Sequence, residues 1–596
     1  MTQLIEGGVA TLLEAEGDTT SPTVTVSSRG VRIDVTALSR RVRDRKRGEL
    51  TLLDAVSFTI LPGELVAIVG PSGAGKTTLL EAIAGITPAT SGAVRFDGID
   101  VHANLGGFRS VLGYVPQDDI IHADLPLVRT LRYAARLRLP AGVSAADVDE
   151  AVSDALVAVG LTEQADVRVG SLSGGQRKRA SIAVELLTDP RVFFLDEPTS
   201  GLDPLTSAEL ATRLRQLADR SATVVFTTHS IDDLALCDRI VFMSRGGSVG
   251  FVGTIDEALA HFAVGSVAEL YRRLSDAGRT AHPARTSPDR PRQEHVSSAE
   301  ASTAAVPAPD DVRRYEIGRP MASGFTQWRV LTQRTLEILV RNRLTLAILL
   351  GSPALVVAMF VILFRPGAFD FDNPSPSSMV MIGFWVVFAA FFFGLTYGLL
   401  QICTERTILR RERLVGLRPG PYVASKVTIL APFLVLVVAA MLGVLRLFDR
   451  LPERPLTTYA SIGVSLLLCA LAALGLGLLT SAMVKTVSQA TLALPMLCFP
   501  AVLFSGAILP VHLMANAGAA LSLAMPSRWA FEGIGHDLGA RHILAEGGSP
   551  LGQPLLASYG NAGTLPTGTY WLVLAGFTVL FLVATRAVVA RTSTQR

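Results

Sequence analysis

Residues 65–78 read LVAIVGPSGAGKTT, an apolar run that continues into the complete pattern G-x-x-x-x-G-K-[ST] at residues 70–77. Glycines let the backbone wrap a phosphate chain with its N–H groups pointing inward, and the helix that follows adds its positive dipole end. The lysine of this pattern reaches the β- and γ-phosphates, and the hydroxyl holds Mg²⁺. The stretch therefore predicts a nucleotide-binding loop made of Gly70, Pro71, Ser72, Gly73, Ala74, Gly75, Lys76, Thr77 and Thr78.

A second apolar run, Val192–Leu195, ends in the acids Asp196 and Glu197. Downstream of a nucleotide-binding loop, a buried strand delivers its first acid toward the metal. The next acid is then placed to polarise an attacking water as a general base. We therefore expect Asp196 to hold Mg²⁺ and Glu197 to be catalytic.

Four further motifs together resemble the ATPase domain of ABC transporters. The stretch LSGGQ at 172–176 resembles the family signature, and its Ser173 lies 23 residues before Asp196. The other three are Gln117 in YVPQDD, which resembles the Q-loop, Ser200–Asp203, which resembles the D-loop with Asp203, and His229 in FTTHS, which resembles the switch histidine. The resemblance covers residues 31–262 and implies a P-loop α/β domain with a RecA-like core and a helical signature subdomain.

The resemblance also implies how these residues act. Ser173, Gly174, Gly175 and Gln176 would cap the nucleotide of a second copy in trans, because one chain has one P-loop and one signature. The simplest assembly that completes these sites is a homodimer with two ATP sites, and a heterodimer with a related chain is the alternative. His229 would hold the γ-phosphate and position Glu197, while Gln117 would touch Mg²⁺ together with Thr77 and Asp196. ATP and Mg²⁺ are thus the expected ligands.

One departure from the family concerns the base. Many relatives stack adenine on an aromatic residue upstream of the P-loop, whereas here Leu38-Ser39 is followed by Arg40. A guanidinium can also lie flat on a base, so Arg40 is a candidate substitute. The alternative is that RRVRDRKR at 40–47 is a solvated basic turn, the commoner role of such runs.

Composition divides the 596 residues into unlike parts. Charged residues make up 18%, below the usual ~25%, and the mean hydropathy is +0.42, which points to a membrane protein with a substantial soluble part. A net charge of +3 excludes a whole-protein electrostatic case for nucleic-acid binding. We expect three or four structural units by length. The predicted parts are a polar tail without a secretory signal at 1–30, the ATPase at 31–265, a disordered linker at 275–323 and a permease at 324–596.

Six long apolar stretches predict an all-α membrane domain. They lie at about 344–364, 379–403, 427–445, 459–483, 489–509 and 570–590. A seventh, Val511–Met525, is too short and is expected to be re-entrant or interfacial. Arginines before the first stretch, between the second and third, and after the last predict that both termini are cytoplasmic, although Arg446, Arg450 and Arg454 on the expected outer side weaken the bias.

The order of ATPase then permease resembles the G subfamily of ABC transporters, the White-type half-transporters. The segment with Glu405, Arg406, Arg411, Glu412 and Arg413, followed by Gly416 and Tyr422, resembles the helix of that subfamily that docks on the ATPase. Phe504-Ser505-Gly506 and Arg528–Glu532 resemble further elements of its permease. Because Glu405 and Glu412 are seven residues apart, they fall on one helical face. We expect an ion-paired coupling element there, with a plain positive-inside anchor as the alternative.

The predicted activity is an ATP hydrolase that exports a lipid, glycolipid or other hydrophobic compound across a bacterial plasma membrane. No ionisable residue lies in the middle of a predicted span, which argues against an ion relay. Phe391-Phe392-Phe393 could line a cargo cavity, although packing or lipid contact is the commoner role. An exporter of lipid-linked polysaccharide and a regulatory ATPase that transports nothing are the alternatives. Membrane lipids are expected partners and nucleic acid is not.

Overall fold

The structure is a computed structural model that describes residues 30–44, 48–108, 111–118, 120–267, 269 and 322–591. Almost all of the predicted tail and linker lies outside these residues. The chain divides into two compact units, the first comprising Met1–Ala322 with Leu414–Gly416 and the second Ser323–Arg413 with Leu417–Arg596.

The first unit is an α/β domain with two sheets. Its strands are β1 (Ile33–Asp44), β2 (Gly48–Ile60), β3 (Leu65–Val69), β4 (Ser91–Phe96), β5 (Ile99–Asp100), β6 (Leu112–Val115), β7 (Val192–Leu195), β8 (Thr223–Thr227), β9 (Arg239–Met243) and β10 (Val249–Gly253). The antiparallel sheet has the order β2-β1-β4-β5. The larger sheet has the order β10-β9-β3-β8-β7-β6, in which only β10 runs antiparallel to its neighbour.

Seven described helices accompany these strands. They are α1 (Lys76–Ile83), α2 (Leu105–Phe108), α3 (Leu127–Arg138), α4 (Ala145–Val159), α5 (Gly174–Leu186), α6 (Pro204–Asp219) and α7 (Ile255–His261). Helices α3, α4 and α5 pack on one another, and a buried ion pair between Arg138 and Glu185, 2.7 Å apart, ties α3 to α5. This small bundle carries the signature motif and is the predicted helical subdomain.

The central parallel strands are buried on both faces, which explains why their sequences are unbroken apolar runs. In β7, Val192 and Phe194 belong to the core shared with the antiparallel sheet, whereas Phe193 and Leu195 belong to the core shared with α3–α6. Strands of this kind are covered by other layers on each side. Their carboxyl ends meet at one edge, and both acid and phosphate-binding motifs follow such ends.

The secondary structure described in the second unit is all helical. Its helices are α8 (Gly324–Arg341), α9 (Arg343–Leu363), α10 (Pro376–Leu399), α11 (Arg406–Leu414), α12 (Pro419–Leu447), α13 (Leu456–Met483), α14 (Val487–Leu503), α15 (Asn516–Leu523), α16 (Pro526–Asp537), α17 (Ala540–Glu546), α18 (Gly552–Tyr559) and α19 (Thr567–Arg591). The predicted fold class, a P-loop ATPase domain followed by an all-α domain, is confirmed.

Five helices are long and apolar enough to cross a membrane, namely α9, α10, α12, α13 and α19. The predicted stretch 489–509 corresponds to α14, which has 17 residues, contains Pro495 and Pro500, and is about 25 Å long at 1.5 Å per residue. Whether it crosses the membrane stays a prediction. The interfacial stretch corresponds to a single 3₁₀ turn and α15, which has 8 residues.

Two of the differences between predicted and observed helix boundaries have a clear structural cause or consequence. Helix α10 ends at Leu399, because the chain then turns and the N–H groups of Ile402 and Cys403 donate to Ser481 Oγ at 2.9 and 3.0 Å. Helix α12 begins at Pro419, eight residues before the predicted start at 427. Lys426, which precedes the predicted start of the third span, therefore lies inside this helix and is 2% exposed.

Helices α10 and α13 form the most extensive helix contact in this unit. Gly398 and Gly477 face each other there, so that a Cβ on either would collide with the opposite backbone. Close approach through small residues is a common way for apolar helices to associate. Phe391 and Phe393 are buried in the interior of this unit, and Phe392 is half-buried.

Candidate active site

The phosphate-binding loop follows β3 directly and ends where α1 begins. Gly70, Gly73 and Gly75 have φ values of 150°, 79° and 95°, a region that favours glycine. Lys76 folds back over the loop and donates to the carbonyl oxygens of Gly70 at 2.9 Å and Pro71 at 3.3 Å. Burial lowers the pKa of Lys76, while Glu197 and Asp196 oppose that shift. The loop therefore offers backbone N–H groups, a helix N-terminus and an ammonium group to an anion.

Thr77 and Asp196 are brought together at the adjoining strand end. Thr77 Oγ1 donates to Asp196 Oδ1 at 3.1 Å, and Thr227 Oγ1 donates to the same oxygen at 2.6 Å. Burial raises the pKa of Asp196, whereas these two hydrogen bonds lower it. Carboxylate and hydroxyl oxygens are the hard donors that Mg²⁺ prefers, so this pair fits the predicted metal site.

Glu197 lies in a left-handed conformation, with φ of 45°. Its backbone N–H donates to Thr227 Oγ1 at 2.8 Å, and its Oε2 accepts from Gln117 Nε2 at 3.1 Å. His229 Nδ1 lies 3.6 Å from the same Oε2. A non-glycine residue held in this region stores strain, which persists only where neighbours fix it. Here β8 fixes it through Thr227.

These residues surround one open cavity of about 840 Å³. It is lined by Leu52, Gly70, Pro71, Ser72, Gly73, Gly75, Lys76, Thr77, Thr78, Gln117, Glu197, His229 and Arg245. The structure thus brings the predicted P-loop, Gln117, Glu197 and His229 to one place, and Asp196 lies beneath them on Thr77. Ala74 is fully buried behind the loop.

The signature residues are not among those that line this cavity. Ser173 is the N-cap of α5, and its Oγ accepts from the Gln176 N–H at 3.3 Å while Gln176 Oε1 accepts from the Ser173 N–H at 3.0 Å. A Cβ added to Gly174 would meet no atom within 4 Å, so this turn is open on its outer side. Asp203 likewise caps a helix, accepting from the Thr206 N–H at 3.0 Å at the start of α6.

Arg40 does not occupy the position that sequence analysis considered. It lies within β1, is 8% exposed and is absent from the cavity lining. The prediction of a solvated turn is wrong for Arg40 as well, because Arg40 is buried in a strand paired with β2, in which Arg41 and Arg43 are exposed. Because β1 pairs with β2 and β4, Arg40 lies in the sheet, and neither expectation for Arg40 holds.

Sequence analysis missed four residues that the site uses. Thr227 contacts both acids, and the FTTHS motif that supplied His229 could have indicated it. Lys178, two residues beyond the signature, donates to the carbonyl oxygens of Gln117 at 2.7 Å and Pro116 at 3.2 Å. Leu52 and Arg245 line the cavity from β2 and from the turn between β9 and β10, and no local pattern marks either.

In the second unit, the predicted coupling residues pair with neighbouring helices. Glu405 directly precedes α11 and accepts from Lys426 Nζ at 2.7 Å and from the Tyr422 hydroxyl at 3.1 Å, both on α12. Glu412 accepts from both terminal nitrogens of Arg334 on α8.

The arginines of this segment bind helix ends. Arg406 donates to the carbonyl of Val484 at 2.6 Å, and Arg413 donates to those of Val589 and Ala590. Arg411 is buried. The segment is thus ion-paired, as expected, with its acids directed to α8 and α12.

Two protein families match the chain. The ABC transporter family matches residues 53–200 and the ABC-2 type transporter family matches residues 326–535. The ABC transporter ATP-binding/permease protein Rv1747 of Mycobacterium tuberculosis is 34% identical over 498 residues, which cover 81% of this chain and 55% of that protein. The broad substrate specificity ATP-binding cassette transporter ABCG2 of Bos taurus is 36% identical over 242 residues, 39% of this chain and 36% of that one.

A solved structure, the dimeric structure of MJ0796, a bacterial ABC transporter cassette, covers 37% of this chain and 98% of its own at 26% identity and a TM-score of 0.35. The chain spans about half the length of the mycobacterial relative and about a third of ABCG2. It belongs to the ABC transporters, with an ABC ATPase domain followed by an ABC-2 type membrane domain. Its likeness to the G subfamily, expected from sequence, is confirmed by those relatives.

Proposed function

We propose that this protein is an exporter that couples ATP hydrolysis to outward movement of a lipid, glycolipid or other hydrophobic compound. The observation that carries the proposal is the convergence of the P-loop, Gln117, Glu197 and His229 on one cavity. The same chain carries five helices long and apolar enough to span a membrane. The proposed location is a bacterial plasma membrane, with both termini in the cytoplasm.

In this proposal Glu197 accepts the proton of the water that attacks the γ-phosphate, and His229 orients that carboxylate. Lys76 and the loop N–H groups hold the phosphates as negative charge develops on them. Thr77, Asp196 and Gln117 would hold Mg²⁺, which would neutralise part of the phosphate charge. The side-chain amide of Gln117 donates to the Glu197 carboxylate, so the same residue would contact both Mg²⁺ and the proposed base.

Two copies of the chain are proposed to form the working unit. The signature turn at Ser173 is absent from the cavity of its own chain, and it is open on its outer side. A partner copy would place that turn over the nucleotide. Ser72→Cys and Ser173→Cys in one chain test this: oxidation with ATP present is expected to give a cross-linked dimer, and neither single substitution should. A monomer under all nucleotide conditions would contradict it.

The ion-paired segment around α11 is proposed to transmit the ATPase cycle to the membrane helices. Its acids bind α8 and α12, and its arginines bind the ends of α13 and α19. A displacement of α11 would therefore act on four helices together. Breaking such an ion pair would leave an uncompensated charge, so the paired helices are expected to move together with this segment.

The test is ATP hydrolysis by the full-length protein in lipid nanodiscs, measured against a panel of envelope lipids and hydrophobic compounds. We expect activity that one compound class raises and that Glu197→Gln abolishes. Glu150→Gln, an exposed carboxylate on α4, is the matched control and should leave activity unchanged. Glu197-dependent activity that no compound changes would favour the regulatory ATPase, and stimulation by lipid-linked glycans would favour the polysaccharide exporter.

A further inference from the structure

Two residues of the nucleotide cavity belong to none of the ATPase motifs. Eleven of the thirteen lining residues come from the P-loop, Gln117, Glu197 and His229. The remaining two are Leu52, half-buried on β2, and Arg245, exposed on the turn between β9 and β10. They line the cavity together with the groups proposed to bind phosphate and metal.

The turn that carries Arg245 is fixed to β2. Ser244 N–H donates to the Ser248 carbonyl at 2.9 Å, which closes the turn, and Gly246 and Gly247 have φ values of 94° and 83°. The Asp54 N–H donates to the Gly247 carbonyl at 3.0 Å. Gly247 is buried, and a Cβ there would lie 2.8 Å from Leu53 Cα. Arg245 and Leu52 are therefore held beside each other by backbone contacts.

The chemistry of the pair suits a base better than a phosphate. Leu52 has no polar side-chain atom and offers only apolar surface. The guanidinium of Arg245 is planar and can stack on an aromatic ring, with a favourable cation–π contribution. The phosphate end of the cavity already has Lys76, the loop N–H groups and the start of α1.

We propose that Arg245 and Leu52 form the base-binding part of this site, with the guanidinium of Arg245 stacked on the purine. The inference rests on the proposed binding of ATP in the P-loop cavity. It assigns to Arg245 the role that sequence analysis considered for Arg40, which is buried elsewhere. Stacking uses the face of the ring, which every base offers, so the contact supports affinity without selecting adenine over guanine.

The test is calorimetric binding of two ligands to the full-length chain in nanodiscs, in a Glu197→Gln background that prevents hydrolysis. One ligand is MgATP and the other is Mg²⁺ with inorganic tripolyphosphate, which lacks base and ribose. We expect Arg245→Gln to weaken ATP binding about twofold to fivefold, the size of an exposed cation–π contact, and to leave tripolyphosphate binding unchanged. The unchanged affinity for tripolyphosphate also reports that the variant is folded.

Arg245→Lys keeps the positive charge but loses the planar guanidinium, so its ATP affinity should lie between that of the parent protein and that of Arg245→Gln. Arg220→Gln, an exposed arginine at the end of α6, is the matched control and should change neither affinity. Equal weakening for both ligands, full affinity in the lysine variant, or unchanged ATP affinity in Arg245→Gln would each overturn the inference. If the Glu197→Gln protein with Arg245 intact failed to bind ATP, the proposed function would be overturned together with this inference.

Discussion

The ammonium group of Lys178 donates a 2.7 Å hydrogen bond to the main-chain carbonyl of Gln117. Lys178 lies on α5, whose first turn is the signature, and it is 4% exposed. The amide of Gln117 in turn donates to Glu197. A short series of contacts therefore links α5, the loop that carries Gln117 and the carboxylate of Glu197 within one chain.

Replacing Lys178 should slow hydrolysis more than it weakens ATP binding. Lys178→Met keeps the apolar stem but removes the donor, so the loop that carries Gln117 loses its tie to α5. We expect kcat to fall at least about tenfold with KM for ATP changed less than twofold, because the variant loses the charge-assisted hydrogen bonds of Lys178 to the carbonyls of Gln117 and Pro116. Steady-state phosphate release measures both values. Lys178→Arg should recover part of kcat, and an unchanged kcat in Lys178→Met would contradict the role.

Thr227→Val should reduce ATPase activity about tenfold to a hundredfold, as removal of groups that orient site residues usually does. The hydroxyl of Thr227 donates to Asp196 and accepts from the Glu197 N–H, so valine leaves both without this partner. Thr227→Ser keeps the hydroxyl and is the matched control. Activity in Thr227→Val equal to that of the serine variant would show that the hydroxyl is dispensable.

Asp97→Asn should stabilise the protein at neutral pH. Burial raises the pKa of Asp97, the nearby Asp34 adds to that shift, and its Oδ2 is buried without a hydrogen-bond partner. A raised pKa means that folding favours the neutral form. The stability contributed by the native carboxyl is therefore complete only below its ordinary pKa and is lost as pH rises.

Asparagine is neutral at every pH, tolerates the φ of 46° at this turn, and can still accept from the Arg32 N–H. Thermal unfolding at several pH values should give a higher Tm for Asp97→Asn at pH 7.5. The difference should shrink on acidification. A Tm difference that grows as pH falls would contradict the assignment.

The ion pair of Glu405 and Lys426 should behave as a coupled unit. Glu405→Gln alone leaves the buried ammonium of Lys426 without its counter-charge, at a cost of about 3–5 kcal/mol. Lys426→Met alone leaves a half-buried carboxylate that still accepts from Tyr422, and it should cost less. The double substitution removes both charges and should cost less than the sum of the two. Unfolding free energies from a double-mutant cycle measure this, and strict additivity would contradict the pairing.

The residues predicted to be catalytic lie at one cavity because each belongs to a motif with a fixed place at a strand end. Gln117, Glu197 and His229 come from three distant stretches, yet the parallel order of β6, β7 and β8 brings their ends together. The order of the motifs along the chain was therefore enough to predict that these three side chains lie close together. Arg245 and Leu52 carry no such signal, because their proximity depends on a backbone contact between β2 and a turn far along the chain.

Sequence reasoning was less accurate in the membrane domain, where charge was used to place loops. The predicted third span began at 427, after Lys426, but Glu405 accepts a hydrogen bond from the Lys426 ammonium, which also lies 5.5 Å from the centre of the Tyr422 ring, so α12 accommodates this charge. A hydropathy scale treats every charged residue as unfavourable in a span, and it takes no account of the ion pair that Lys426 makes with Glu405, 21 residues earlier. Arg40 was misread for a related reason, since strand pairing buries it.

The central claim is that hydrolysis at Glu197 moves a hydrophobic compound across the membrane. The most direct measurement uses vesicles that contain the full-length protein and a panel of fluorescent lipids and glycolipids in the outer leaflet, with MgATP outside. In molecules whose ATPase faces outward, export corresponds to movement into the vesicle, where the label is protected from dithionite. We predict ATP-dependent protection of one lipid class by the wild-type protein and none by Glu197→Gln. Glu197-dependent ATP hydrolysis without protection of any lipid in the panel would contradict the account.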